Sequence, residues 1–212
     1  MTTYTNTTIY DNPALAAMRA LALKAIDSVE WRHHGIGVLQ GYAREDCDPE
    51  IRLHIWSREL LKPGMDVSGD VHDHRFDMVS HVLCGSVDHE EVIPIEDAGG
   101  DHEMLALTHA RAAAETNYHG PTRPIDGVFS VTRHRMVIRA GQSYIFPALH
   151  FHRSPITGDG VAVTVIEKHQ QRDVCARLLY PISHPPVMAF GHEIDPKLVS
   201  RVVDLARRGL AG

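Results

Sequence analysis

The sequence has few cysteines, no long apolar run and no concentration of basic residues. Its 212 residues include three cysteines, Cys47, Cys84 and Cys175, and none of them belongs to a C-x-x-C pair. An odd and scattered set argues against both a disulfide framework and a cysteine-based zinc site. No apolar stretch approaches the roughly 20 residues that a membrane-spanning helix needs, and residues 1–12 lack the charged and apolar regions of a signal peptide. We therefore expect a cytoplasmic protein without a membrane partner.

The charge balance is mildly acidic and ordinary in density. The formal net charge is −6, with 23% charged and 43% hydrophobic residues, which is typical of a globular protein. Because Lys and Arg form no run or patch in the sequence, a nucleic-acid partner is not expected. A chain of this length can build one core. We expect a single domain over 1–212 that binds a small molecule, and a homodimer stays open.

The pattern of the chain changes from helical to β-like and back. The first helix is predicted over 13–30, with Asn12 as its cap and Pro13 in its first turn, and the last over 195–209, with Asp195 as its cap. Between them short β-like runs alternate with Gly and Pro turns, which predicts a barrel or sandwich core over about 37–168. The candidate strands are 37–43, 51–58, 72–83, 86–93, 103–108, 128–132, 136–139, 143–146, 150–154 and 161–167, and a loop is expected over 112–124.

Histidine is the one residue type in excess, with 16 in the chain, and the spacing of His72 and His74 stands out. Both lie in an apolar β-like run, and side chains two apart on a strand project from the same face. Neutral imidazoles placed in this way can reach one transition metal. Taken alone, an H-x-H pair fits two polar residues on an exposed strand equally well.

A second motif lies 67 or more residues further on and changes this balance. Gly141 is followed by five residues and Pro147, and then by His150 and His152. Together with His72-x-His74 and Gly85, this arrangement resembles the two-part signature of the cupin superfamily. The resemblance implies a mainly β, jelly-roll barrel with flanking helices and one bound metal ion.

Met78 occupies the position at which most cupins carry a glutamate ligand. Without this glutamate, three histidines remain, His72, His74 and His152. This set is similar to that of the three-His thiol dioxygenases such as cysteine dioxygenase. The run from Leu149 to Arg153, followed by Ala-Val-Thr-Val at 162–165, resembles the segment that carries their third ligand. In that frame His152 is the ligand and His150 is the alternative. The tyrosine of those enzymes would fall near Lys168.

This resemblance implies a mononuclear non-haem Fe(II) dioxygenase that acts with O2 on a small anionic substrate, with thiols among the candidates. Nickel, manganese, zinc and copper stay open as the metal, because imidazole nitrogen also suits nickel, zinc and copper, and copper or nickel would bind more tightly than iron. The same ligands would serve a non-redox isomerase, lyase or decarboxylase. A non-catalytic barrel that binds a small molecule is the third reading.

The strand predicted over 51–58 alternates strictly and supplies further site candidates. One face is apolar, and the other carries Arg52, His54 and Trp56. A polar face of this kind meets either solvent or the pocket of a barrel. Within a pocket, Arg52 or Arg44 would hold a substrate carboxylate, because guanidinium and carboxylate pair through two hydrogen bonds.

Strand parity also separates structural residues from ligands. Met78 is expected on the face of the two ligands in its run, whereas Asp77 and His81 are expected on the other face. Arg153 directly follows the third ligand and is also expected to point away from the metal. We interpret these three polar side chains as structural.

Overall fold

The computed structural model of the protein describes residues 6–34, 37–45, 48–61, 71–107, 122–155, 160–184 and 195–212. Within them lie two helices, α1 (Leu15–Ala25) and α2 (Pro196–Ala211). In chain order the strands are β1 (Thr8–Asp11), β2 (Arg32–His34), β3 (Val38–Arg44), β4 (Glu50–Ser57), β5 (Val71–His72), β6 (Asp77–Cys84), β7 (Ser86–Glu96), β8 (His102–Leu107), β9 (Thr122–Arg139), β10 (Gln142–Phe146), β11 (Phe151–Arg153), β12 (Val161–His169) and β13 (Ala176–Pro181). None of the described helices is long and apolar enough to cross a membrane.

The strands form two sheets. One has seven strands in the order β1-β10-β6-β12-β4-β3-β2, and the other closes on itself in the order β11-β5-β13-β8-β9-β7. The long strand β9 closes the second sheet because its first part pairs with β8 and its second part pairs with β7. The fold is therefore mainly β, with a closed barrel and a helix near each end, as the sequence predicts.

One face of β4 is buried and apolar, and the other is polar and half-buried at Arg52 and His54, which matches its strict alternation. Ile51, Leu53 and Ile55 pack in one apolar cluster with residues of α1 and α2. Trp56 belongs to a second cluster, between the sheets, that also contains Met78. Each large side chain buried in this way contributes about 1.5–3 kcal/mol relative to an exposed one. The polar face of β4 thus points to the interior of the molecule and not to bulk solvent.

Helix α1 is shorter than the predicted 13–30. Asn12 accepts the backbone N–H of Ala14 through its side chain, so the chain makes a turn before the helix begins at Leu15. At the other end, the carbonyl of Ala25 accepts both the hydroxyl and the N–H of Ser28. Such side-chain bonds compete with helical bonds and end the helix.

Helix α2 begins as predicted and runs two residues further. The Asp195 side chain accepts the N–H of Lys197, and Pro196 occupies the first turn. Gly209 lies inside the helix, which continues past it to Ala211. A Cβ at position 209 would overlap Sγ of Cys84 on β6. Close packing of the helix on the sheet therefore accounts for this glycine.

Several strands differ from the sequence prediction. The predicted strand over 72–83 is divided into β5 and β6, and the predicted strands over 128–132 and 136–139 are parts of β9. Strands β1, β2 and β13 were not predicted; β1 and β2 belong to the seven-stranded sheet, and β13 extends the closed barrel beyond the expected 37–168. Most of the expected loop over 112–124 lies outside the described residues, and 122–124 already belong to β9.

Candidate metal centre

Strand pairing brings the two histidine motifs together. His72 on β5 is the direct ladder partner of His152 on β11, so their side chains leave the sheet side by side. His74 follows two residues later, where the strand has ended. One nitrogen from each of the three imidazoles lies within 4.8 Å of the other two. The sequence predicts this set of three residues, and the structure places them together.

The three imidazoles face one another closely. Their ring centroids are 4.9 to 5.0 Å apart, and the Nε2 atoms of His74 and His152 are separated by 3.0 Å. Nitrogens about 2.1 Å from a shared ion are about 3 to 4 Å apart, so the set fits a single divalent metal. His152 is buried, and burial together with the neighbouring imidazoles lowers its pKa well below the ordinary value. The neutral form that a metal requires is therefore favoured.

An ion pair explains why His72 and His74 lie at a break in the strand. The buried carboxylate of Asp73 accepts the backbone N–H and the Nε–H of Arg177 on β13, both at 2.6 Å. Burial raises the pKa of Asp73, against the lowering by Arg177. Because the Asp73 side chain takes a main-chain donor of β13, it replaces part of the ladder and lets the chain leave the sheet after His72.

The same arginine holds the second motif in place. Arg177 donates from Nη2 to the carbonyl of Leu149, and the N–H of Leu149 donates to the carbonyl of His74. Leu149 has φ of 65°, which is uncommon for a residue other than glycine. These bonds join the two segments that carry the histidines.

Asp77 provides a second structural link, as its predicted position implies. Its carboxylate accepts the N–H of Ala148 and pairs with the guanidinium of Arg172. Although burial opposes it, these bonds hold the pKa of Asp77 below its ordinary value. The carboxylate is thus used between the two motifs and is not a member of the three-His group.

Aromatic and apolar side chains enclose the three histidines on one side. Phe76 stacks on His74 with ring centroids 4.8 Å apart, and Phe146 lies 4.7 Å from His152 by the same measure. Met78 is the ladder partner of Phe146 and is 2% exposed. An apolar residue therefore fills the glutamate position, on the face that strand parity predicts.

Two cations share one carboxylate next to Phe76. Arg52 and Lys168 both contact Oε1 of Glu50, at 2.6 and 3.0 Å. Their charged groups also lie 5.9 and 4.6 Å from the centre of the Phe76 ring. Burial lowers the pKa of Lys168, and the Arg52 charge adds to this effect while Glu50 opposes it. The group therefore carries a net positive charge in a partly buried place.

Of the other predicted substrate-binding residues, Trp56 and His54 lie inside the fold and Arg44 lies at its surface. Trp56 donates from Nε1 to the hydroxyl of Thr164, and the ring of His54 lies 5.9 Å from that of Trp56. Both residues are on the inner face of β4 with Arg52. Arg44 is exposed at the end of β3 and takes no part in the contacts around Phe76.

The remaining predicted histidine and arginine positions are also resolved by their contacts. His150 is half-buried with its ring 6.2 Å from that of Phe146, and the three-His group contains His152 in its place. His81 bonds to Ser143 and Glu167, on the face away from the ligands. Arg153 pairs with Glu90 through two nitrogens. The structural interpretation of His81 and Arg153 fits these contacts.

A second layer of polar residues lies behind His152 and was not predicted. His89 is fully buried on β7, its ring centroid is 5.1 Å from that of His152, and burial lowers its pKa to about 4. Glu91 follows on the same face of β7 and is 1% exposed. No local pattern marks this pair in the sequence, because residues 88–91 are all polar or charged. Only the pairing of β7 with β11 brings them to the site.

Comparisons with known proteins give remote likenesses. No protein-family model matches the sequence, and no curated protein matches it. Among solved structures, Drosophila melanogaster CENP-C bound to CAL1 aligns at TM-score 0.41 and 8% identity, over 72% of this chain and 94% of that one. Hydroquinone 1,2-dioxygenase PnpCD aligns at TM-score 0.32 and 10% identity, over 63% and 69% of the two chains. Oxalate oxidase aligns at TM-score 0.30 and 16% identity, over 84% of this chain and 65% of that one. At these TM-scores and identities, the chemistry of this chain rests on its own side chains.

Proposed function

We propose that the protein is a mononuclear non-haem Fe(II) dioxygenase that uses O2 to oxidise a small anionic substrate. The observation that carries this proposal is the group of three imidazoles, His72, His74 and His152, without a carboxylate among them. Three neutral ligands leave the charge of a divalent ion uncompensated, so the centre favours an anionic ligand. A divalent iron held there would supply adjacent positions for substrate and O2.

The metal assignment follows from the donor set and the surroundings. Imidazole nitrogen suits Fe(II), nickel, zinc and copper, whereas manganese prefers oxygen ligands. The apolar wall of Phe76, Phe146 and Met78 limits water on one side, which protects reactive intermediates of an oxidation from side reactions. We therefore place Fe(II) first. Nickel, manganese or zinc would support the non-redox alternative, an isomerase, lyase or decarboxylase.

The anionic character of the substrate is supported by Arg52 and Lys168. They share the single negative charge of Glu50, and desolvated excess charge of this kind is stabilised by a bound counter-ion. Both cations lie within 5.9 Å of the ring centre of Phe76, which stacks on His74, so Phe76 connects them to the three-His group. We assign the substrate carboxylate to Arg52 and Lys168 and not to Arg44, which is exposed. His54 and Trp56 would line the same pocket on the inner face of β4.

The protein's own residues would do three things in this reaction. Arg52 and Lys168 would bind and orient the anionic group, so that the reacting end of the substrate points to the histidines. Phe76 and Met78 would exclude water from that end. Asp73, through Arg177, would hold the two histidine segments at a fixed separation.

The test is O2 consumption by protein loaded anaerobically with Fe(II), with a panel of small thiol carboxylates and dicarbonyl compounds. We expect uptake with a carboxylate-bearing member, loss of uptake in His72→Ala, and a KM raised about tenfold or more in Arg52→Met and Lys168→Met, because each lost charged hydrogen bond costs about 1.5–3 kcal/mol. Arg139→Met, at an exposed position, is the matched control. Turnover of the panel under argon would favour the non-redox enzyme, and tight binding without turnover would favour a binding protein.

A further inference from the structure

The two buried polar residues behind His152 are held by the start of the described chain. The carboxylate of Glu91 accepts the backbone N–H of Asn6 at 3.0 Å for each oxygen and the side-chain amide of Asn6 at 2.8 Å. It also accepts the hydroxyl of Thr7 at 3.4 Å. A carboxylate can accept from all of these groups.

The hydrogen bonds continue from Thr7 to His152. Oγ1 of Thr7 lies 3.1 Å from Nε2 of His89, and Nδ1 of His89 lies 3.4 Å from Nδ1 of His152. Nε2 of His152, at the other side of its ring, faces Nε2 of His74. A continuous chain of polar atoms thus leads from Glu91 to the proposed metal position.

The carboxylate of Glu91 sets the direction of each hydrogen bond between Thr7 and His152. Since Glu91 can only accept, the single proton of the Thr7 hydroxyl is directed to it, and Oγ1 is left to accept from Nε2–H of His89. His89 is packed between the rings of Tyr144 and Phe146, where a neutral imidazole with one proton is stable. That proton is on Nε2, so Nδ1 of His89 accepts a proton from Nδ1 of His152.

We infer that Thr7, His89 and Glu91 are positioning residues that keep His152 in the Nδ1–H tautomer, with the lone pair of Nε2 directed at the metal. Outer partners of ligand histidines commonly set the tautomer and the orientation of the ring. The residues before β1 therefore form part of the metal centre, although no sequence motif includes them. The inference rests on metal binding by the three histidines, as the proposed function does, and it is independent of the reaction.

The tautomer can be read directly by long-range ¹H–¹⁵N correlation in metal-free protein labelled at histidine. The signal of His152 is assigned by its loss in His152→Gln. We expect the Nδ1–H form in the parent and in Thr7→Ser, and a mixture of both tautomers in Thr7→Val. Glu91→Gln is a second variant of nearly the same shape. The Gln amide can donate to Thr7 and so reverse the direction of each hydrogen bond between Thr7 and His152. This reversal predicts an increase in the Nε2–H form of His152.

Metal affinity provides the second readout, by titration with Co(II) against a chromophoric chelator. We expect Thr7→Val to weaken Co(II) binding about tenfold or more, and Thr7→Ser to remain within about twofold of the parent, because loss of an outer partner typically costs 10–100-fold. Thr8→Val, at an exposed position of β1, is the matched control and should bind as the parent does.

The outcomes separate this inference from the proposed function. An Nε2–H tautomer of His152 in the parent, or parental Co(II) affinity in Thr7→Val, would overturn the positioning role of Thr7, His89 and Glu91 and leave the metal centre intact. Equal weakening in Thr7→Val and Thr7→Ser would also overturn it, since packing and not the hydroxyl would then be responsible. A parent that binds no Co(II) would contradict both this positioning role and the proposed function.

Discussion

The Nε2 atoms of His74 and His152 lie 3.0 Å apart although the two residues are 78 positions apart in the chain. Two nitrogens that bind one ion at about 2.1 Å each lie about 3 to 4 Å apart. The observed distance therefore allows both imidazoles to hold the same divalent ion. This relationship depends on the ladder partners His72 and His152 and on the contacts of Arg177.

Replacing Asp73 by Asn should destabilise the protein. Asp73 is fully buried as a side chain, whereas Arg177 is 30% exposed, so the unpaired guanidinium would be partly solvated. We expect the free energy of unfolding to fall by about 1.5–3 kcal/mol, the range for losing hydrogen bonds to a charged group. Urea denaturation measures this loss, and Asp126→Asn, at an exposed position of β9, is the control. A change within 0.5 kcal/mol, the size typical of a surface substitution, would show that Asp73 is not a structural link.

The contribution of Glu90 to stability should depend on pH. Burial raises its pKa, but the hydrogen bonds and charges of Arg153 and Arg133 prevail and hold it below the ordinary value of 4.5. A carboxylate with a lowered folded pKa stabilises the protein above its unfolded pKa, and this stabilisation is lost as the pH falls through the folded value. Glu90→Gln should therefore be less stable than the parent by about 2 kcal/mol at neutral pH, and the difference should shrink below pH 4.5.

Urea unfolding of both proteins at several pH values tests this dependence. Glu96→Gln, at an exposed position of the same strand, should show little difference from the parent at any pH. If the free energy of unfolding of Glu90→Gln differs from that of the parent by the same amount at low and neutral pH, the ion pairs do not lower the pKa of Glu90.

Gly209 and Cys84 should behave as a coupled pair. A helical Gly→Ala change ordinarily stabilises a protein by up to about 1 kcal/mol, but here the new Cβ would overlap Sγ of Cys84. We expect Gly209→Ala to lower the midpoint of thermal unfolding in the parent and to raise it in a Cys84→Ala background. Differential scanning calorimetry of the four proteins completes the cycle. Additive effects would mean that the helix does not pack on Cys84 as described.

The sequence predicts most of the site because its histidines lie in local patterns. The spacing of His72 and His74, and of Gly141, Pro147 and His152, is visible without any knowledge of the pairing. Met78, expected on the ligand face, is buried beside Phe146, whose ring lies 4.7 Å from that of His152, although the strand on which parity was counted is divided.

Residues whose role depends on contacts between distant strands could not be predicted. Lys168 belongs to the site only because β12 pairs with β4 and brings it to Glu50. His89 and Thr7 reach His152 through the pairing of β7 with β11 and through the position of the N-terminal segment. The division of 72–83 into two strands likewise depends on Arg177, about 100 residues later in the chain.

The most direct test of the account is the metal content of the protein purified without a histidine tag, compared with that of His72→Ala, His152→Ala and His150→Ala. The account predicts close to one equivalent of a divalent transition metal, or its uptake on anaerobic loading with Fe(II), in the parent and in His150→Ala. It predicts loss of that metal in His72→Ala and His152→Ala, each with parental secondary structure by circular dichroism. A parent that takes up no metal, or a His152→Ala variant that retains it while His150→Ala does not, would contradict the proposed centre.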